Sequence, residues 1–378
     1  MKNARLHIAK QLSHTSPLYQ VYLVDLLETV ISKGDVHESR NTHVEDVDLA
    51  AREIIELVYP LAALASVETD GVDVADNEYV ARLHREAWFN VVVHGITPTS
   101  AHGRRCRDEL RILATKSKAL IAESRGDQFE SEIELNTILR RGMNGPNTAE
   151  QKKRLINLLP KHEGDIKTLS YPKVVFLMST YLLETLRAEA GDCSHILTYF
   201  LDPSLNGTAM ENCTSGVAQA VMTAYLERAL ERASTEATAP GVAEQLALMF
   251  QGCCHRMPRV QQIAARSADK IVSEVPSALC YRSSLFALLE LLTIMWTSCL
   301  AVELDEYELR THYSSTLGNV SVQLSDDYDL RRTTLNNLYK KAKAWVTHVI
   351  NIAPLAIKGL LQVSSRQMVL WYSTDAAM

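Results

Sequence analysis

Residues 326–351 read DDYDLRRTTLNNLYKKAKAWVTHVIN, and this stretch decides the fold class. Leu335, Leu338, Tyr339, Ala342, Trp345, Val346, Val349 and Ile350 recur at steps of three and four, the spacing of one apolar stripe on an α-helix. Asp326, Asp327 and Asp329 crowd the front, while Arg331, Arg332, Lys340, Lys341 and Lys343 follow. That order matches the helix dipole, so the charge pattern has a structural reason of its own. Pro354 then ends the helix.

The same signature recurs upstream. Ser16-Pro17 supplies a cap and a Pro at the first helical position before LYQVYLVDLLETVI, and Gly34 supplies the stop. After a polar loop at 35–43, acids at 45, 46 and 48 open a helix through AAREIIELVYPLAALA that Pro60 is expected to kink or split. The acidic stretch TDGVDVADNE (69–78) reads as a solvated loop, since its acids and glycine do not fall in the order of a calcium-binding EF-hand loop. Further helices are predicted at 79–94, 100–122 and 131–141, the last stopped by Gly142. Thr148 to Gln151 has the form of a capping box, opening a helix that ends near Pro160. Pro172 starts KVVFLMSTYLLETLRAEA, closed by Gly191. Residues 193–201, 215–233, 242–254, 258–275 and 277–302 complete the set. No run of alternating β-branched residues lies between turn signals, so no strand is expected. About a dozen helices with short connections point to an all-α fold, an irregular α-solenoid of stacked antiparallel helices. The expected division is one solenoid segment over 1–362 and a divergent, mobile tail over 363–378. The segment EATAPG (236–241) is the best candidate for an exposed linker.

The 378 residues are 47% hydrophobic and 22% charged, a globular composition, and Gly (15) and Pro (11) are scarce. A net charge of −6 argues against general nucleic-acid binding, which needs concentrated Lys and Arg. The seven cysteines (106, 193, 213, 253, 254, 280 and 299) are odd in number and scattered through apolar runs, which suits a reducing compartment. The N-terminus, MKNARLHIAKQLSH, has no apolar core of a secretory signal. Residues 285–302, LFALLELLTIMWTSCLAV, approach the length of a membrane span, but Glu290 sits near the middle, where a carboxylate costs about 2.5–3.5 kcal/mol to insert. A buried helix is the expected outcome, with no transmembrane segment.

Constellations that carry chemistry are sparse. Cys253-Cys254-His255 is the most metal-like, yet adjacent cysteines on a helix point about 100° apart and no second ligand pair stands at a zinc spacing. Cys193 and His195 form half of a thiol dyad without an orienting partner. There is no phosphate cradle, no nucleophile elbow and no kinase D-F-G. Arg104, Arg105, Arg107 and Arg111 are interleaved with Asp108 and Glu109, the pattern of a solvated helix face. No catalytic, cofactor-binding or metal-ligating residue is therefore assigned.

Longer segments carry a resemblance. SKGDVHE (32–38), DLAAREI (48–54), AWFNVVVHG (87–95), ESEIELNTILRRGM (130–143) and TAEQKKRLINLLP (148–160) are the first. ETLRAEAGDC (184–193), GCCHRMPRVQQIA (252–264), VPSALCYRSSLFALLELLTIMWTSCL (275–300) and VSVQLSDDYDLRRTTLNNLYKKAKAWVTHVINIAPL (320–355) follow. Together they resemble the helical region ahead of the kinase core in the fungal type III-alpha phosphatidylinositol 4-kinases, over nearly the whole chain to about Gln362. These are helix-packing segments, not catalytic motifs.

That resemblance implies a non-catalytic scaffold segment of an enzyme that transfers the ATP γ-phosphate to the 4-hydroxyl of phosphatidylinositol. ATP and Mg are implied for the full-length kinase and no cofactor for this chain. The implied partners are a second copy, a tetratricopeptide-type adaptor and a membrane-anchoring subunit, with the chain cytoplasmic and peripheral to the plasma membrane. From Val363 the sequence VSSRQMVLWYSTDAAM leaves the family pattern, and the expectation is a truncated or mis-spliced product. The alternatives are a free-standing α-solenoid adaptor without kinase activity and an enzyme whose site is assembled from distant residues.

Overall fold

The computed structural model describes residues 2–34, 44–66, 78–97, 100–121, 145–202, 205, 207–232, 238–304, 310–360 and 362. The expected helix at 131–141, most of the loop at 69–78 and the tail at 363–378 lie outside them. The chain divides into two compact units, Met1–Val221 and Met222–Met378, and the described residues of both are overwhelmingly helical. The all-α expectation stands.

The first unit contains α1 (Lys2–Gln11), α2 (Pro17–Gly34), α3 (Val44–Ala65), α4 (Glu78–Val93), α5 (Arg107–Lys116), α6 (Gly145–Leu158), α7 (Glu163–Thr168) and α8 (Tyr171–Ala190). Helices close in sequence pack on one another: α2 on α3 and α4, α3 on α5, and α8 on α4, α5 and α6. Each buries its apolar stripe, as Leu23, Leu26, Leu27 and Val30 do on α2. Full burial of each such side chain contributes about 1.5–3 kcal/mol. Pro60 does not split α3, which runs through it unbroken. The capping-box reading at 148–151 is corrected: α6 begins at Gly145, so Thr148 lies inside the helix, and Gln151 is buried with its amide donating to the Val93 carbonyl at 3.5 Å. Pro172 and Gly191 bound α8 as read, with Gly191 in the left-handed region at φ 119°.

The helix expected over 100–122 is shorter and preceded by a 3₁₀ turn, Gly103–Cys106. The reason is a knot of hydrogen bonds on one hydroxyl. Ser100 Oγ accepts from Thr97 N and Gly103 N and donates to the Thr97 carbonyl, all at 2.8–3.1 Å. That knot draws the chain so close that a Cβ on Gly103 would lie 1.9 Å from the Thr97 carbonyl oxygen.

The second unit holds α10 (Thr238–Cys253), α11 (Pro258–Glu274), α12 (Arg282–Leu304) and α13 (Tyr328–Ile352). The division falls within α9 (Thr208–Arg232). The linker expected at 236–241 is partly taken up by α10, whose first residues are 238–241. The stretch at 277–302 is two elements, a 3₁₀ turn Pro276–Cys280 and α12, separated where Tyr281 turns to extended backbone. Here α12 buries Leu285, Phe286, Leu288, Leu291, Ile294 and Met295, and leaves Trp296 and Leu300 exposed. It is long and apolar enough to cross a membrane, yet 56% of the apolar window at Arg282–Leu300 is buried against the rest of the protein.

A short hairpin departs from the strandless expectation. Strands β1 (His312–Ser315) and β2 (Val320–Gln323) pair antiparallel, with His312 opposite Gln323 and Ser315 opposite Val320. Asn319 takes a left-handed turn conformation at φ 47°. Val320 and Val322 point into the unit while Ser321 faces out, a period-two pattern only four residues long. The hairpin also explains Glu290: its carboxylate accepts a 2.7 Å hydrogen bond from Ser315 Oγ, so it sits under β1 rather than in an apolar environment.

Asp327 caps α13 by accepting from the backbone of Asp329 and Leu330, as the acidic front predicts. Arg331 is 1% exposed and donates to the carbonyls of Ser325 (2.5 Å) and Arg310 (3.0 Å), pinning both ends of the hairpin segment to the helix. Farther along, Trp345 donates to Asp269 at 2.8 Å and rests on Phe250, with ring centroids 4.9 Å apart, while Lys341 closes on the same carboxylate.

Because the neighbour of Gly103 is backbone, it has no rotamer to move away. Gly103→Ala is expected to lower stability by about 1–3 kcal/mol, read as a drop in the urea midpoint with unchanged slope. Gly164→Ala, which meets nothing within 4 Å and lies in α7, is the control and is expected to leave the midpoint unchanged or slightly raised.

Candidate functional site

The most concentrated charge chemistry among the described residues lies inside the first unit. Helix α8 is buried on almost every side, and on it Glu184 and Arg187 stand three apart, 1% and 2% exposed. After Gly191 turns the chain, the Asp192 carboxylate accepts from Ser194 N at 2.9 Å and His195 N at 3.3 Å. This starts a 3₁₀ helix, His195–Leu201, where the sequence led us to expect a longer regular one. The turn brings His195 and Tyr199 back over Glu184.

The carboxylate oxygen Oε1 of Glu184 accepts from Arg187 Nη1 at 2.6 Å and from the Tyr199 hydroxyl at 3.0 Å. His195 Nδ1 stands 3.3 Å from the same oxygen and beside Arg187 Nη1. Arg187 Nε donates to the Ala114 carbonyl at 3.1 Å, and Nη2 donates to the Ser117 carbonyl. Tyr199 accepts from Leu120 N at 3.1 Å, and Trp88 Nε1 donates to Ser117 Oγ at 2.9 Å. The guanidinium thus caps the C-terminal end of α5, where free carbonyls and the helix dipole favour a cation.

Burial alone would raise the Glu184 carboxyl. The hydrogen bond from His195 and the charge of Arg187 outweigh it and hold Glu184 below its ordinary value. Tyr199 is pushed well up, first by burial and then by the Glu184 charge. A carboxylate this enclosed, with its partners satisfied by the protein, has no open face for a reacting group. Its work is to lock α5, α8 and the following turn together.

The other sequence candidates are placed as follows. Cys193 is fully buried and its thiol is raised well above the usual range by burial, while His195 faces Glu184, so the two form no working dyad. Cys253 and Cys254 are buried; the Cys253 thiol is raised strongly and that of Cys254 to about 12. His255 Nδ1 accepts from Met257 N at 3.1 Å, a local turn contact. Among the described residues, no three His, Cys, Asp or Glu side chains converge closely enough to hold a metal ion. In the basic cluster, Arg107 pairs with Glu189 at 2.9 Å and Arg111 with Asp108 at 2.8 Å, both at the surface. A small apolar cavity lies between α2, α3, α4 and α5, lined by Leu27, Val58, Leu61, His84, Trp88 and Leu110; burial pushes His84 down to about 4, so it is neutral at pH 7.

Sequence reasoning did not single out Glu184 and Arg187. The available signal was their setting: a helix apolar on every side has no solvated face to carry charges three residues apart.

Removing one partner leaves the other charged and buried. Glu184→Ala is expected to cost about 3–5 kcal/mol in urea unfolding, and Glu184→Ala with Arg187→Met to recover more than half of that. The folded-state value of Glu184 lies below its unfolded value, so its contribution is present above about pH 4.5 and is lost as pH falls through the folded value. Between pH 5 and pH 3 the wild-type chain therefore sheds stability that Glu184→Ala no longer has to lose.

No family model matches the chain, and no solved structure matches it. It is similar to two curated fungal proteins. Identity is 32% over 364 residues with the phosphatidylinositol 4-kinase STT4 of Saccharomyces cerevisiae, covering 95% of this chain and 19% of that protein. Identity is 28% over 341 residues with the phosphatidylinositol 4-kinase stt4 of Schizosaccharomyces pombe, covering 90% of this chain and 18% of that protein. The chain thus spans about a fifth of the length of these relatives. The resemblance carried by the quoted segments holds across nearly the whole chain, which matches a stretch of two fungal proteins named as phosphatidylinositol 4-kinases.

Proposed function

We propose that the chain serves as a non-catalytic helical scaffold segment of a phosphatidylinositol 4-kinase, an enzyme that transfers the ATP γ-phosphate to the 4-position of phosphatidylinositol. The observation that carries this reading is the similarity over 95% of the chain to a protein named for that activity, of which the chain covers 19%. The chemistry of the described residues agrees with a supporting role. Phosphoryl transfer draws on a phosphate cradle, metal-holding carboxylates and a positioned base. The strongest charged cluster here is instead closed around its own partners. Stacked helices offer broad side-chain surfaces, and we read those surfaces as contacts for a second copy and for adaptor and membrane-anchoring subunits. In this reading ATP and Mg act elsewhere in the whole kinase, and the segment works in the cytoplasm, peripheral to the plasma membrane through its partners.

A segment exchange tests the reading. The matching stretch of the Saccharomyces cerevisiae relative is replaced by residues 1–362 in cells whose own copy is switched off. Growth and phosphatidylinositol 4-phosphate are expected to return to at least half of normal; a chimera made at normal abundance that restores neither overturns the proposal. Purified alone with ATP, Mg and phosphatidylinositol, the chain is expected to form no product above a boiled control.

A further inference from the structure

Residues 330–362 contain six Lys or Arg and no Asp or Glu, in a chain whose net charge is −6. Arg331 is buried among carbonyls and Lys341 is held by Asp269, but Lys340, Lys343 and Lys358 are exposed and make no ion pair with a described residue. On α13, Leu338, Ala342, Trp345 and Val349 are buried. Tyr339 and Ile350, read from the sequence as part of that stripe, lie instead on its exposed flank with Lys343, about 100° round from the buried centre, and Lys340 stands farther round on the outward side. Past Ala353 the chain winds a further helical stretch, residues 354–360, with Lys358 exposed on it. The apolar members are bare: Tyr339 is 61% exposed, Ile350 40% and Leu355 86%.

The helix dipole accounts for lysines in the second half of α13. It does not account for exposed Tyr, Ile and Leu among them, nor for the loss of every acid over so long a stretch. We propose that this face docks on an anionic lipid surface, with Lys340, Lys343 and Lys358 over the lipid phosphates and Tyr339, Ile350 and Leu355 entering the headgroup layer. Basic residues interleaved with aromatic and aliphatic ones on one helix face are the chemistry of interfacial binding. An acidic peptide would answer the lysines alone. The inference rests on this face and not on the kinase reading.

Flotation of the full 378-residue chain tests it, using vesicles of phosphatidylcholine alone and vesicles with about a third phosphatidylserine, the anionic lipid of the cytoplasmic leaflet. Binding is expected only to the anionic vesicles and is expected to fall steeply between 0.1 M and 0.5 M salt. Each cation near such a surface is worth about a fivefold change, so K340E/K343E is expected to weaken partition at least tenfold. L355D is expected to weaken it at low salt as well. Both variants alter exposed side chains and are expected to keep the wild-type circular dichroism and unfolding midpoint. Equal binding to neutral vesicles, indifference to these substitutions, or no binding to either vesicle overturns the proposal. Retention on immobilised polyglutamate without vesicle binding assigns the face to an acidic protein instead, and also overturns it.

Discussion

A buried guanidinium that serves backbone carbonyls is the constraint on which each unit depends. In the first unit Arg187 holds the Ala114 and Ser117 carbonyls at the end of α5, and Glu184 neutralises it from the next turn of its own helix. In the second, Arg331 holds the carbonyls of Ser325 and Arg310 on either side of the hairpin. An arginine is suited to this because its planar fork presents several donors in fixed directions and stays charged. Once it is buried, neighbouring segments must return to the same positions, or a charge is left without partners in a low-dielectric interior. Apolar stripes bring the helices together with little directionality; these arginines fix which turn meets which.

This division of labour bears on function. Buried charges are often read as catalytic, since perturbed carboxyls and imidazoles gather at active sites. Here the perturbation of Glu184 has a complete structural cause: Arg187, His195 and Tyr199 converge on it and it has 1% exposure. The thiols tell the same story, because burial raises those of Cys106, Cys193, Cys213, Cys253 and Cys254 away from the reactive thiolate. What remains available to partners is surface. The face of α13 bearing Lys340 and Lys343 is one such surface, and the exposed edge of α12 at Trp296 and Leu300 is another of different, uncharged character.

Much of the fold was legible along the chain. The three-and-four spacing at 326–351 gave α13 to within two residues, and the Asp327 cap followed from the acids at its front. Pro172 and Gly191 bracketed α8 because a missing N–H suits a first turn and a left-handed residue suits a last one. Local errors had local causes. Thr148 to Gln151 has capping-box residues but no free helix end, since α6 had already begun at Gly145. The hairpin was passed over because four residues per strand give period-two alternation too little length to register. The break at Tyr281 carries no Gly or Pro; Ser284 Oγ marks it by donating to the carbonyls of Ala278 at 2.5 Å and Tyr281 at 3.1 Å.

The sequence by itself determined that this protein is helical, where several of its helices start and stop, which face of them is largely apolar, and that its family likeness runs through packing segments. Those properties depend on neighbours within a turn or two, and their signals are written at spacings of three and four. Tertiary structure alone decided that Glu184 and Arg187 are interior, that Glu290 faces a hairpin serine, and that Lys341 and Trp345 share Asp269 while Lys340 and Lys343 make no ion pair with a described residue. A side chain's environment is set by segments distant along the chain, and the same Lys, Glu or Arg reads alike whether it meets water or a partner.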